Sequence, residues 1–315
     1  MNNLCEMLNL NIPKMLPDEL GTAYLEHVAH GNILNTKNLL SRACNAKPRF
    51  NRPSNAQLIA EIAGLSDKDF VCFHTCKPFY SAFESAEHWC YPHGTCERRP
   101  PKNPMLVHKR VGYYLCPECS SEDVYFWGRS YWRRSHQIPG VFWCLKHEIP
   151  LIVAQDECLH CQPHEVIDAS RQCTSSPFSG GNTIPGRYQK LVNSLLDFQI
   201  PVFSPRIISA LKQKLSRENY SCRTNAYGRR FLSDTVLENC PHQWCNDLFP
   251  NFHNKKAGQH FREIDGIEFG QNAQTIAYVL ALAVLYDDPD EAASEVSRLV
   301  SSQSYQLCVT EPIAV

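Results

Sequence analysis

The stretch Cys116-Pro117-Glu118-Cys119, followed after 24 residues by Cys144-Leu145-Lys146-His147, decides how the middle of this chain folds. Each short turn presents two soft donors, and the two turns together supply three thiolates and one imidazole. Zinc prefers this donor set in a tetrahedron, and four protein ligands leave no open coordination position. We therefore predict a structural zinc site at Cys116, Cys119, Cys144 and His147, where the metal contributes folding free energy and not catalysis.

A second group of donors follows at irregular spacing. Cys158, Cys161, His164 and Cys173 form a candidate second zinc site, but they lack the paired pattern of the first, so ordinary structural roles for them stay open. The chain has 16 cysteines in 315 residues and starts without a charged, apolar leader, so we expect a cytoplasmic protein. In a reducing cytoplasm, many cysteines indicate metal ligands more than disulfides.

Charge is concentrated around the metal motif. The net charge is only −1, yet residues 98–146 hold nine basic residues against three acidic ones, a local net charge of +6. By itself, such a stretch is more often a solvated surface, but this one surrounds the metal motif. Because arginines alternate with aromatic residues here, we predict phosphate contacts and base reading. The candidate DNA-binding residues are Arg98, Arg99, Lys109, Arg110, Arg129, Arg133, Arg134, Gln137 and Lys146. Trp127, Trp132 and Trp143 are predicted to form a small core beneath the metal.

Helical periodicity dominates the rest of the chain, so we predict a mainly α protein. Helices are expected from Pro17 to about Gly31, over 34–42, over 55–63 and over 67–76, and the last two flank Gly64 as in a helix-turn-helix. An ordinary helical hairpin has the same pattern. Residues 84–110 are predicted to be loop, and 111–165 show few helical signals. Further helices are expected over 188–198, 204–217, 232–245 and 272–286.

These patterns predict three segments: an N-terminal helical unit over 1–83, a zinc-finger module over 84–173 and a helical C-terminal part over 174–315. The longest apolar run, residues 275–286, has twelve residues, short of the roughly 20 that span a bilayer. Motifs for ATP binding, for serine hydrolases and for zinc proteases are missing from the sequence, and so is the H-x-E of nucleobase deaminases. We therefore expect a protein that is not an enzyme.

Four segments carry a resemblance to a known family. They are Leu16-Pro17-Asp18-Glu19-Leu20 with Tyr24 and Ala29-His30-Gly31-Asn32; His74-Thr75-Cys76-Lys77-Pro78-Phe79-Tyr80-Ser81-Ala82-Phe83; the metal motif from Tyr114 to His147; and, more loosely, Arg187-Tyr188 with the helices from Leu232 onward. They resemble the TniQ/TnsD family of transposon target-selection proteins, in its TnsD-like branch. Cys116, Cys119, Cys144 and His147 match the zinc ligands of that family.

The resemblance implies an adaptor that binds double-stranded target DNA and recruits an AAA+ ATPase regulator, TnsC, which brings in the transposase. We expect the N-terminal helices to dock on this ATPase through Asp18, Glu19, Tyr24 and His27. The implied location is the bacterial nucleoid. One alternative is an adaptor that docks on a CRISPR effector complex, whose guide RNA reads the target. Another, from a different class, is a zinc enzyme acting on nucleic acid.

Overall fold

The computed structural model describes residues 8–47, 53–83, 110–154, 159–167, 171–172, 182–197, 202, 204–221, 230–267 and 274–309. Their backbone is mainly helical with a few short strands, which confirms the predicted fold class. The chain divides into two compact units. Unit 1 comprises Met1–Lys77 and Arg98–Thr174, and unit 2 comprises Pro78–Glu97 and Ser175–Val315. The N-terminal helices thus share a unit with the metal motif, and the three predicted segments stay a prediction.

The N-terminal helices of unit 1 are α1 Gly21–Gly31, α2 Thr36–Asn45, α3 Asn55–Ala63 and α4 Asp67–His74. The short α5, Lys77–Tyr80, follows them and lies mostly in the part of the chain assigned to unit 2. Capping side chains mark the starts of three of these helices. The side chains of Asn35, Ser54 and Ser66 each accept a hydrogen bond from the backbone N–H three residues later. Gly64 ends α3 in the left-handed conformation, with a φ of 71°. The helices α3 and α4 pack together as the predicted hairpin, and groove reading by them stays a prediction.

Several helix boundaries in unit 1 differ from the predictions, and two of them have a clear physical reason. The first helix begins at Gly21 and not at Pro17, because Pro17 and Asp18 form a turn and Glu19 pairs with the distant Arg133 in an antiparallel bridge. Leu20 N–H donates to the Trp132 carbonyl at 2.7 Å, and Arg134 N–H donates to the Asp18 carbonyl at 2.9 Å. The fourth helix ends at His74 and not at Cys76, because Thr75 is extended and its hydroxyl donates to the Val71 carbonyl.

The metal motif lies among short strands and one helix. The strands are β1 Tyr113–Leu115, β2 Trp143–Cys144, β3 Ile149–Pro150, β4 Ile152–Ala154 and β5 Arg171–Gln172, and the helices are α6 Pro117–Trp127 and the short α7 Pro163–Val166. β4 pairs antiparallel with β1 and with β5, and β2 pairs antiparallel with β3. Leu20, Leu115, Trp132 and Ile152 belong to one buried apolar cluster, so the N-terminal segment and the metal motif share a core.

The expectation of little helix between residues 111 and 165 is wrong for α6. Cys116 caps this helix, Pro117 occupies its first turn, and Gly128 ends it with a φ of 73°. Proline at the first turn and glycine after the last are the favoured residues at those positions.

Unit 2 is built from helices α8 Ile184–Leu196, α9 Ser204–Arg217, α10 Leu232–Asn239, α11 His242–Leu248, α12 Arg262–Asp265, α13 Thr275–Leu285 and α14 Pro289–Val309. The apolar α13 is buried along nearly its whole length and packs against α8. The stretch predicted as one helix over 232–245 breaks at Cys240, whose backbone is extended before Pro241. The helix α14 was not predicted. Within the described part of the chain, no helix combines the length and the hydrophobicity that a bilayer crossing requires.

Candidate metal centre

The four predicted ligands converge on one point. The donor atoms of Cys116, Cys119, Cys144 and His147 all lie within 4.8 Å of one another, and the three cysteines are buried. Cys119 Sγ lies 3.7 Å from Cys144 Sγ. His147 Nδ1 lies 3.4 Å, 3.3 Å and 3.6 Å from the sulfurs of Cys116, Cys119 and Cys144.

These distances fit a tetrahedral metal ion. Bonds of about 2.3 Å to sulfur and about 2.0 Å to nitrogen separate the donors around such an ion by about 3.5–3.8 Å. The Cys3His group can therefore hold a metal ion without a change of backbone. All four positions would be filled by protein donors, so the site is of the closed, structural type.

Local structure places the donors in two pairs. Cys116 directly follows β1 and caps α6, and its sulfur accepts from the Cys119 N–H at 3.4 Å. The second pair belongs to a β-hairpin, since Cys144 ends β2 and β3 begins at Ile149. In the turn between them, Glu148 has a φ of 53° and its N–H donates to the Cys144 carbonyl at 2.8 Å. Each pair is thus held by its own backbone hydrogen bonds.

A carboxylate contacts the back of the imidazole ligand. His147 Nε2 lies 3.1 Å from Glu122 Oε1, while its Nδ1 faces the sulfurs. Glu122 follows Cys119 by three residues on α6 and also pairs with the exposed Lys146. Hydrogen bonds from Lys146 and His147 hold the pKa of Glu122 below its usual range. The sequence pattern did not identify Glu122. Recognition of α6 as a helix would have placed Glu122, three residues after Cys119, on the same helix face as this ligand.

Three crowded thiols favour a bound cation. Side-chain hydrogen bonds to Cys116 and Cys144, together with burial, raise the pKa of the Cys119 thiol. Three thiolates cannot share so small a volume without a positive charge. A divalent ion supplies that charge and displaces the protons, so its binding depends on pH.

Three of the residues predicted to dock on the ATPase contact other parts of unit 1. Glu19 is buried and pairs with Arg129, and Asp18 Oδ1 accepts from Arg134 Nε at 2.7 Å. Residues 16–20 and 129–135 therefore form what we call the clasp, joined by these ion pairs and by an antiparallel bridge between Glu19 and Arg133. Tyr24 is fully buried, and its hydroxyl donates to the Pro13 carbonyl.

His27, the fourth residue of that set, is half-buried on α1. Burial lowers the pKa of its imidazole, and the Arg129 guanidinium lowers it further. Docking by Asp18, Glu19, Tyr24 and His27 stays a prediction, because the structure holds a single chain.

Residues 11–151 match the family model described as TniQ. This match supports the assignment of these residues to the TniQ family. It covers the metal centre, the clasp and helices α1 to α6, while the TnsD-like branch stays a prediction. No curated protein gives a significant match to the chain.

Three candidate DNA-binding arginines form ion pairs and hydrogen bonds with other residues of unit 1. Arg129 donates to both oxygens of Glu19 and to the Lys14 carbonyl. Arg133 pairs with Asp123 at 2.6 Å. Arg134 is buried and, besides its pair with Asp18, donates to the carbonyls of Cys72 and Thr75.

Arg110 and Gln137 are buried as well. Arg110 donates to three backbone carbonyls and lies 3.4 Å from the centre of the Tyr114 ring. Gln137 bonds both the N–H and the carbonyl of Tyr114, as a neighbouring strand would. Lys146 is the exposed member of the set, and Arg98, Arg99 and Lys109 lie outside the described residues. DNA contact by these residues stays a prediction.

The second predicted metal site lies partly outside the described residues, which omit Cys158 and Cys173. Of the other two candidates, His164 has Nδ1 2.7 Å from the buried Ser130 hydroxyl. The Cys161 carbonyl accepts from Trp132 Nε1 at 3.0 Å. Both residues therefore contribute to the packing of unit 1.

The predicted tryptophan core is correct for Trp132 alone, which is 3% exposed. Trp143 is half-buried on β2, and Trp127 is 51% exposed at the end of α6 beside the exposed Tyr125 and Phe126. The apolar cluster of unit 1 uses residues of β1, β4 and α7 besides Trp132.

Proposed function

We propose that this chain is a non-enzymatic adaptor of transposition that binds target DNA and recruits an AAA+ ATPase regulator of the TnsC type. The observation that carries the proposal is the TniQ match over residues 11–151, which includes every residue of the Cys3His group. We further propose that the bound metal is zinc, because three thiolates and one imidazole in a tetrahedron are the donors that zinc prefers.

A structural role for the metal agrees with an adaptor. Zinc enzymes keep one coordination position for water or substrate, whereas this group offers four protein donors. What the metal supplies is stabilisation of the segment that carries α6 and the β2–β3 hairpin. The metal and the neighbouring clasp would keep unit 1 rigid, so that it can present a fixed surface to partner proteins. We propose that α1 to α4 provide that surface.

One observation favours a second candidate function, an adaptor that docks on a CRISPR effector. The side chains best suited to read bases, Arg133, Arg134 and Gln137, are buried or half-buried and bonded within the TniQ domain. If these contacts persist in the complex, sequence recognition must come from elsewhere, and base pairing by a guide RNA would supply it.

A reconstitution distinguishes these functions. We would mix the full chain with an AAA+ ATPase of the TnsC type and with duplex DNA, and measure ATPase assembly by electron microscopy and co-sedimentation. We expect the chain to place the ATPase at one DNA position. Assembly that is identical with and without the chain would contradict the proposal. Recruitment that requires an RNA-guided complex would identify the second candidate.

A further inference from the structure

Helix α9 of unit 2 has an unusual charge distribution. Its fourteen residues, Ser204–Arg217, hold four basic side chains and no acidic one. Ile207, Leu211 and Leu215 are buried at four-residue intervals, so this stripe packs into unit 2. Arg206, Lys214 and Arg217 lie eight and three residues apart, a spacing that puts them on one face of the helix beside the buried stripe. The fourth, Lys212, lies on another face and is exposed.

The basic face of α9 forms one wall of a groove whose other wall is α14. The groove has a volume of about 640 Å³, and its lining includes Arg206, Lys214 and Arg217 from α9 and Arg298 from α14. Serine, glutamine and tyrosine side chains complete the polar lining. This is the set of side chains that contacts phosphate groups in protein–DNA complexes.

Acidic residues of the groove offset only part of this charge. Glu295 accepts two hydrogen bonds from Arg298, at 2.8 Å and 2.6 Å, so these two residues neutralise each other. Lys214 lies 4.7 Å from the centre of the Tyr286 ring and forms an ion pair at 3.8 Å with the exposed Glu218, which is not part of the groove lining. Glu291 is the remaining acid of the lining. Arg206, Lys214 and Arg217 therefore leave a net positive wall along α9.

We propose that this groove binds the phosphate backbone of duplex DNA. The inference rests on the proposed function and adds a second contact surface, in unit 2 and outside the TniQ match. It differs from the earlier candidates in the TniQ domain, whose described arginines are bonded within that domain. Since charged and hydroxyl groups of this kind contact the phosphates that every duplex carries, we expect binding independent of sequence.

The test uses the full chain and a fluorescent 30-base-pair duplex of arbitrary sequence, with anisotropy measured from 50 to 200 mM salt. We expect the triple variant Arg206→Gln, Lys214→Gln, Arg217→Gln to bind at least about tenfold more weakly at 100 mM salt. Each phosphate contact contributes about 0.9 to the slope of log affinity against log salt, so the slope should fall by roughly two to three.

Two single variants provide a matched comparison. Arg217→Gln and Lys212→Gln each remove one exposed positive charge from α9, but only Arg217 lines the groove. We expect weaker binding for Arg217→Gln and unchanged binding for Lys212→Gln. An equal loss in both would assign the effect to overall charge and overturn the proposal. Thermal melting of each variant checks that the fold is retained.

Other outcomes separate this proposal from the proposed function. If wild-type protein binds no duplex, the groove proposal and the DNA-binding role both fail. If wild-type and triple variant bind equally, the groove proposal fails while the adaptor role stands, because the ATPase assembly assay measures that role independently. A polyglutamate peptide that competes as well as DNA at the same charge concentration would overturn the assignment to phosphate.

Discussion

Glu19 and Arg129 form a two-pronged ion pair across 110 residues of sequence, with Nη1 to Oε1 at 2.8 Å and Nη2 to Oε2 at 2.7 Å. The Glu19 side chain is 2% exposed, so removal of its partner leaves a buried charge. We expect Arg129→Ala to lower the free energy of unfolding of unit 1 by about 3 kcal/mol, within the range of about 3–5 kcal/mol for such disruptions. Urea denaturation followed by circular dichroism measures this change.

The control for this pair is Lys47→Ala, which breaks the more exposed pair between Lys47 and Glu61. Surface pairs contribute about 0–1 kcal/mol, so we expect a small change. Combining Arg129→Met with Glu19→Gln removes both charges and should recover part of the lost stability. An Arg129→Ala variant as stable as wild type would show that the clasp does not hold unit 1 together.

Cys144→Ser should release the metal. It removes one of four donors at a site whose occupancy stabilises the fold, so we expect metal content to fall from about one ion per chain to near zero and unit 1 to melt at lower temperature. Elemental analysis of dialysed protein measures the content. The control is Cys72→Ser, which alters a buried cysteine outside the metal group. Full occupancy in the Cys144 variant would show that the ligands are others.

Glu122→Gln should weaken metal binding without removing a ligand. The carboxylate accepts from His147 Nε2 and so fixes the tautomer that presents Nδ1 to the metal. Loss of such partners typically costs 10- to 100-fold in affinity. Chelator competition measures the affinity, and ¹⁵N chemical shifts of His147 report its tautomer. Glu118→Gln is the matched control, since Glu118 is exposed on the same helix. Equal affinities for the two variants would contradict a positioning role for Glu122.

The metal ligands could be predicted because their pattern is local in sequence, with two donors in each four-residue turn. Glu122 was missed because α6 was missed. Its residues Val124, Tyr125, Phe126 and Trp127 are exposed and give no amphipathic period, so only the cap at Cys116, Pro117 and Gly128 marked this helix.

The roles of the arginines could not be predicted, because their partners are distant in sequence. Arg129, Arg133 and Arg134 have the composition of a DNA-binding surface, and a basic cluster on a sequence does not reveal which side chains meet carboxylates after folding. Asp18 meets Arg134 across 116 residues. The same two segments also pair through the bridge between Glu19 and Arg133, which takes the place of the expected first turn of α1. Sequence periodicity does not encode such long-range pairing, which determines both the partners of these arginines and the residue at which α1 begins.

His74 should make unit 1 less stable in mild acid. Its Nδ1 lies 3.1 Å from the Glu19 carbonyl, so the buried imidazole donates there. Burial lowers the pKa of His74 below its ordinary value of 6.5. The unfolded chain therefore binds a proton more readily than the folded chain below about pH 6.5, and stability falls as the pH drops through that value toward the lower pKa of the folded state. The free energy of unfolding should therefore be lower at pH 5.5 than at pH 7.

Urea denaturation at pH 7 and at pH 5.5 tests this, with wild type compared with His74→Gln. The glutamine amide can still donate to the Glu19 carbonyl but carries no titrating group, so the pH dependence of unfolding should be smaller in the variant. Metal release at low pH affects both proteins alike and cancels in the comparison. His27, whose pKa burial also lowers, acts in the same direction and remains in both. An NMR titration of His74 with a midpoint at or above pH 6.5 would contradict the assignment, as would equal pH dependence in the two proteins.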